Sequence, residues 1–297
     1  MSLVINHNLM AMNAARNLSQ SYGNLAISTR RLSSGLRVGT AADDAAGLAI
    51  RELMRADIAS LNQGMRNAND AISMIQTADG ALQVIDEKLI RMKELAEQAA
   101  TGTYTSDQRL IIDSEYQAMA SEITRIANAT DFNGIYLLNG NLSSTTHDGS
   151  GLTSTGQLKV HFGAGNDSAE DYYYIQIGNS TASALGVGNQ TDPTRGGFSI
   201  STQQAAQNAL DAINQAIVSK DKIRASLGAL QNRLENTITN LSIQAENLQA
   251  AESRVSDVDV AQEMTEFVRN QILTQSAVAM LAQANQLPQM AMQLMQG

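Results

Sequence analysis

The chain has 297 residues, 43% of them hydrophobic, enough for one large core or a small number of domains. It contains no cysteine, which excludes disulfides and thiolate metal sites, and its net charge of −9 argues against nucleic acid, whose phosphates need a basic surface. There is no tryptophan, only two prolines (Pro193 and Pro288) and 4% aromatic residues, so the core must be built from Leu, Ile, Met and Ala, a composition that suits long packed helices better than a globular enzyme of this size.

Taken in chain order, the N-terminal stretch Met1 to Ala15 carries neither a basic leader nor a continuous apolar run, so no conventional secretory signal is expected. No apolar run approaches the roughly 18–20 residues that would span a bilayer, so no membrane span is expected. From Ile58 to Ala99 apolar residues recur at alternating steps of three and four, with one slip at Ile75. That is the seam of a coiled-coil helix, reaching roughly 60 Å at 1.5 Å per residue. Ile112, Tyr116, Met119, Ile123 and Ile126 predict a second helix. The middle zone, residues 131–199, is rich in Gly, Ser, Thr and Asn and carries most of the tyrosines. There Leu158, Val160 and Phe162 alternate with Lys159 and His161, and Tyr172 to Ile177 is a second β-rich run, which together predict a β-hairpin. A further short β element is expected at Asn133–Asn139, bounded by Asn133-Gly134 and Asn139-Gly140. A third long stripe runs from Ile223 through Leu227, Leu230, Leu234, Leu241 and Leu248 to Val258, and Ser201 followed by Gln204 predicts a capping box at the start of its helix. The expected fold is mainly α: a long antiparallel coiled-coil bundle formed by both chain ends, with a small central region containing a β-hairpin.

The ends themselves are almost uncharged. Arg16 is the only Lys, Arg, Asp or Glu between Met1 and Thr29, and Asn270 to Gly297 contains none. A solvated helix normally wears charge on its outer face. Ends of Ala, Gln, Asn, Met and Leu are therefore expected to be poorly ordered in the monomer and to fold when many copies pack together. The alternative reading is a pair of frayed tails.

Specific motifs then accumulate. Ile5-Asn6-His7-Asn8 precedes Ala11-Met12-Asn13-Ala14, and Arg31-Leu32-Ser33-Ser34-Gly35-Leu36-Arg37 precedes Ala41-Ala42-Asp43-Asp44-Ala45-Ala46-Gly47-Leu48-Ala49-Ile50. Phe132-Asn133-Gly134, Leu137-Leu138 and, near the C-terminus, Ala282-Gln283-Ala284-Asn285-Gln286-Leu287-Pro288 complete the set. On these motifs the chain resembles bacterial flagellin over both arms. The resemblance implies an exported subunit that polymerises into the helical flagellar filament used for swimming motility and is located in the secreted, extracellular filament. It divides the chain into an inner N-terminal arm (1–44), N-terminal rod helices (45–130), a central variable region (131–199), a C-terminal rod helix (200–255) and an inner C-terminal arm (256–297). Assembly contacts are expected along the terminal helices at Leu3, Ile5, Leu9, Leu18, Leu25, Leu32, Phe267, Ile272, Leu281, Leu287 and Leu294. Implied partners are further copies of the chain, the flagellar export apparatus and an export chaperone, and the filament cap and junction proteins. In flagellins detected by Toll-like receptor 5, a rod-helix surface carries an Arg and Leu pair with a Glu on the adjoining helix. Leu89, Arg91, Leu95 and Glu115 match it here, with Lys93 where Arg is usual. Some flagellins carry O-linked glycans, for which Ser143, Ser144, Thr145 and Thr146 are candidates.

Chemistry is otherwise sparse. His7, His147 and His161 show no metal spacing. Asp257, Asp259 and Glu263 read as acidic residues at a helix start, and Asp43-Asp44 as support for a turn or a subunit contact. No phosphate-cradling glycine loop or nucleophile elbow is present, so no enzymatic activity and no cofactor is expected. Two other readings are a hook–filament junction protein, which would form a bounded ring, and a secreted binding module that uses the central hairpin.

Overall fold

The computed structural model describes residues 8–150, 155–168, 170–188 and 198–296. Long helices dominate: α1 (Leu9–Ser34), α2 (Ala45–Ala100), α3 (Ser106–Ala129), the single turn α4 (Ala182–Leu185), α5 (Gln203–Ser256) and α6 (Val260–Gln296). Six short strands fall between α3 and α4: β1 (Asp131–Phe132), β2 (Ile135–Tyr136), β3 (His147–Asp148), β4 (Thr155–Gly156), β5 (Leu158–His161) and β6 (Tyr172–Ile175). They pair as three antiparallel two-stranded ribbons, β1–β2, β3–β4 and β5–β6. Two compact units result, one from Ala59–Ala245 and the other from the residues up to Ile58 together with those from Glu246 onward.

The Ala59–Ala245 unit holds the large core. Ala68, Ile75, Ala78, Leu82, Ile85, Leu89, Met92, Ala96 and Ala99 of α2 are buried along the expected stripe, joined by Tyr116, Ala120 and Ile123 of α3. Residues three and four apart share a helix face, so this periodicity alone collects them on one side. The α2–α3 connection is short and capped: the Thr105 hydroxyl accepts from the Gln108 amide and the Gln108 side chain returns the bond, while Arg109 donates to the Ala99 carbonyl at 2.9 Å. On α5 a strict seven-residue repeat is buried at Ile213, Lys220, Leu227, Leu234 and Leu241. Lys220, only 2% exposed, stands in an otherwise apolar seam and reaches Asp86 of α2 at 2.5 Å and Asp221 at 2.8 Å. One turn further, Arg224 grips Asp79 with two nitrogens, at 2.7 and 3.2 Å. A single polar residue in a coiled-coil seam fixes register, because every other alignment would bury it unpaired.

The central ribbons dock on this bundle. In β5–β6, Leu158 pairs with Ile175 and Val160 with Tyr173, and this face meets the core while Phe162 follows it inward. The backbone of Phe162 passes so close to α2 that a Cβ built on Gly64 would lie 1.9 Å from its carbonyl oxygen. Asn67 secures the neighbouring carbonyl of His161 at 2.8 Å. The β1–β2 element starts two residues before the expected span, and Asn133-Gly134 is its turn instead of its boundary. Both residues have positive φ, 51° and 79°, the left-handed pair that a two-residue hairpin with native twist requires. The β3–β4 ribbon and α4 are additional to the elements expected. The start of α5 also needs correction: its cap is Thr202, whose hydroxyl accepts from the Ala205 amide at 3.1 Å, while Ser201 is engaged with Ser199.

In the other unit, α1 and α6 run antiparallel. Asn8 donates to the Ala284 carbonyl at one end and Arg31 meets Glu263 at the other. Over Leu9–Ser34 and Val260–Gln296 these uncharged segments form paired helices. Leu3 and Ile5 lie outside the described residues, as do the side chains of Leu287 and Leu294.

Two outcomes follow from the Ala59–Ala245 unit. Gly64→Ala should destabilise the protein by about 1–3 kcal/mol, the usual range for overpacking, with faster amide exchange in β5–β6. Lys220→Met, which leaves Asp86 without its cation, should cost about 2–4 kcal/mol in chemical denaturation, whereas adding Asp86→Leu should restore most of the loss.

Candidate self-assembly interface

The α1–α6 pair is unusual in what it buries. On α1 the inward positions are Ala11, Ala14, Leu18, Ser21, Leu25, Ser28 and Leu32; on α6 they are Glu263, Phe267, Asn270, Thr274, Ala277, Leu281 and Ala284. Both sets step by alternating threes and fours, the coiled-coil period. Small and polar side chains make up most of this seam, and its leucines are only half-buried. Between the helices remains an open groove of about 680 Å³, floored by Ala14, Ser21, Ala277 and Ala284 and rimmed by Met10 and Met280.

The large apolar side chains mostly lie outside this seam. Leu9 is 64% exposed, Ile272 57% and Met280 65%, and Met12, Tyr22, Ile27, Met264, Val268, Leu273 and Val278 are exposed as well. Charge does not screen them, since α6 has no ionisable side chain after Arg269. Exposed apolar side chains in this number on two helices mark an interaction surface. The expected assembly residues thus divide. Leu18, Leu25, Leu32, Phe267 and Leu281 hold the pair together, whereas Leu9 and Ile272 face outward.

A latch closes the base of the pair. Gly35 ends α1 with φ 72°, and its amide bonds the Arg31 carbonyl at 2.8 Å, the left-handed cap that glycine adopts without cost. The chain then meets the break between α5 and α6: Arg37 donates its amide to the Ser256 carbonyl at 2.7 Å, Val258 donates to the Gly35 carbonyl at 3.0 Å, and Leu36 bridges Asp257. Arg51, almost fully buried, holds the Val38 carbonyl at 2.6 Å. Asp43 accepts from the Thr40 amide and hydroxyl and from Arg30, and Asp44 caps α2 through the Gly47 amide. Asp259 plays the same part for α6, accepting from Ala261 and Gln262. These acids therefore serve as turn and cap residues. The cap role of Asp44 was legible as an Asp standing just before an alanine-rich helix.

The candidate receptor surface is reduced. Leu89 and Leu95 are 0% and 1% exposed and belong to the core of the Ala59–Ala245 unit, so they present no surface. The seven-residue repeat turns position 95 inward beside Ala96, a detail that a four-residue spacing from Arg91 does not reveal. Arg91 and Glu115 remain outside, joined by two hydrogen bonds at 3.0 and 2.8 Å, with Glu94 adding a third to Arg91 at 2.9 Å. Those carboxylates, Glu115 first, push the Arg91 pKa further up. Ser143, Ser144, Thr145 and Thr146 are exposed, with the Ser144 and Thr146 hydroxyls 3.1 Å apart. Among the described residues there is no cluster of His, Asp and Glu suited to a metal ion, and no helix long and apolar enough to cross a membrane.

Comparison with known proteins agrees with this geometry. Residues 5–143 match the family model described as the bacterial flagellin N-terminal helical region, and residues 210–295 match the bacterial flagellin C-terminal helical region. The chain is 42% identical over 293 residues to the flagellar filament 33 kDa core protein of Treponema phagedenis, covering 99% of this chain and 100% of the relative. It is 43% identical over 293 residues to a flagellin of Halalkalibacterium halodurans, with the same coverage. Among solved structures, a putative flagellar hook-associated protein from Vibrio parahaemolyticus superposes with a TM-score of 0.54 at 14% identity, over 72% of this chain and all of that one, a likeness of fold alone.

The latch has a testable acid limit. The Thr40 hydroxyl chiefly, with the Thr40 amide and Arg30, holds the Asp43 carboxyl below its ordinary value. A carboxylate whose native pKa is depressed stabilises the fold above its unfolded pKa of about 3.9, and that contribution is lost as pH falls through the lower native value. The protection of the Thr40 amide against hydrogen exchange, relative to its intrinsic rate, should therefore fall on acidification below about pH 4, and Asp43→Ala should lack that protection at all pH values.

Proposed function

The chain belongs to the bacterial flagellin family and is a structural subunit of the flagellar filament, and from that premise we propose that the outward faces of α1 and α6 are the surfaces through which copies of it assemble. The observation that carries this reading is the inverted burial of the terminal pair: small and polar residues inside, Leu9, Ile272 and Met280 outside. Such a pair is incomplete alone. A neighbouring copy that buries those side chains contributes about 25 cal/mol per Å² of apolar area removed from water. The contact is heterologous and does not close on itself, so repetition gives an open helical polymer.

In the same reading, 1–44 and 256–297 form the inner layer of the filament, 45–130 and 200–255 the rod layer, and 131–199 the outward part. The subunit passes unfolded through the flagellar export apparatus with a chaperone, which the absence of cysteine suits, since no disulfide has to form afterwards. It meets the cap and junction proteins at the filament ends and resides in the extracellular filament. Ser143–Thr146 lie exposed for O-linked modification. Detection by Toll-like receptor 5, if it occurs, falls to Arg91 and Glu115 without Leu89 and Leu95. No feature of the described residues favours a junction protein, and the exposed apolar side chains of α1 and α6 favour a filament subunit over a secreted binding module as the main role of the chain.

Electron microscopy after addition of precipitating salt or filament seeds tests the assembly face. The full chain should form long filaments. A chain lacking residues 270–297, which removes most of α6, should form none, and neither should the pair Ile272→Glu with Met280→Glu, which keeps native helical content. Filaments from either variant as abundant as those of the full chain would contradict the reading.

A further inference from the structure

We propose that the outer face of the β5–β6 hairpin, with the pocket beside it, binds an acidic carbohydrate chain. Alternation along the strands sends Leu158, Val160, Tyr173 and Ile175 to the core and leaves Lys159, His161, Tyr172 and Tyr174 on the opposite face. His147 of β3 joins them, its Nδ1 donating to the Gln157 carbonyl at 2.6 Å. Four rings then stand in a row. Centroids are 5.5 Å apart from His147 to Tyr174, 5.4 Å from Tyr174 to Tyr172 and 5.9 Å from Tyr172 to His161. The Lys159 ammonium lies 3.6 Å over the Tyr172 ring, and Tyr174 is 41% exposed.

Beside Tyr174 opens a pocket of about 390 Å³, lined by Gln157, Gln176, Lys222 and Ser226 above Ile223 and Leu230. That volume lies within the range of small-ligand sites, about 300–1,000 Å³. Among the described residues neither Lys159 nor Lys222 forms an ion pair; Asp221 is engaged with Lys220 and Asp148 with Ser150, and Asp70 of α2 shares a pocket lining with Lys159 and His161. A chain of net charge −9 thus carries a local cationic and aromatic strip.

Each component matches one part of an acidic sugar. Tyr172 meets Tyr174 edge-on at 79° and has Lys159 over its own face, so the exposed Tyr174 ring is the one that packs on the apolar side of a pyranose, while amides and a serine hydroxyl bond its hydroxyls and an ammonium takes its carboxylate. The step between rings is close to the length of one pyranose unit. A single-stranded nucleic acid would also stack on such rings, but it carries a charge on every residue and would be repelled by the acidic remainder of the surface. A glycan with one carboxylate in every second sugar suits two separated lysines.

Calorimetric titration of the full-length protein with hyaluronate oligosaccharide tests the site, with cellohexaose and single-stranded oligothymidylate as comparisons. Saturable hyaluronate binding is expected, weakened at least tenfold by Tyr174→Ala and by Lys222→Gln, with unchanged thermal unfolding because both residues are exposed. Lys93→Gln, on α2, should leave it unaltered. Absence of hyaluronate binding would overturn the proposal, as would equal binding of cellohexaose, tighter binding of oligothymidylate, or indifference to both Tyr174→Ala and Lys222→Gln.

Discussion

The structure depends on one constraint at its ends: the antiparallel pairing of α1 with α6 buries the wrong residues for a self-sufficient coiled coil. Knobs-into-holes packing of a stable pair places large aliphatic side chains in the seam. Here Ala11, Ala14, Ser21, Ser28, Asn270, Thr274, Ala277 and Ala284 occupy most of those positions. The helices can approach closely and their amides and hydroxyls find partners, but little apolar area leaves water inside the pair. The large side chains that could contribute it face outward. Filament formation is then the completion of a fold, not an addition to a finished one.

The Ala59–Ala245 unit obeys the opposite rule. Its helices bury a full apolar stripe, and its polar contacts are specific: buried Lys220 with Asp86, the partly exposed pair Arg224 and Asp79, and Asp113 accepting from the Ile200 amide at 2.7 Å. Such pairs add little net energy, since desolvation offsets most of the attraction, but they penalise a shifted register heavily. A unit that must present the same surface in every copy of a polymer needs that uniqueness more than extra stability.

Much of this was legible in the sequence because periodicity is a local property. The stripe of α2, the α3 stripe and the β5–β6 alternation appear in the structure where the residues place them. Other features were hidden for identifiable reasons. Lys220 continues the seven-residue repeat of Leu227, Leu234 and Leu241 one step toward the N-terminus, but a charged residue interrupts a search for apolar residues. The α5 cap was misplaced by one residue because Ser201 and Thr202 are equally good caps and the choice rests on Ser199, which holds the Ser201 hydroxyl. Leu95 was placed on the surface by its match to the family's receptor motif, although its neighbour Ala96 already marks the buried edge of the helix. The polarity of the α1–α6 seam could not be read from either helix alone, because which face turns inward is settled by a distant partner, 276 residues away at the Asn8–Ala284 contact and 232 at Arg31–Glu263.

The absence of native cysteine makes the central claim directly measurable. Single cysteines placed at Ile272, on the outward face of α6, and at Thr145, in the central region, can be titrated with a thiol-reactive probe before and after polymerisation, on chains seeded from unmodified filaments. The account predicts that Cys at position 272 reacts rapidly in the monomer and is protected at least tenfold in the filament, while Cys at position 145 reacts equally in both. Undiminished reactivity at position 272 in well-formed filaments would contradict it, because the outward apolar face would then remain in water after assembly.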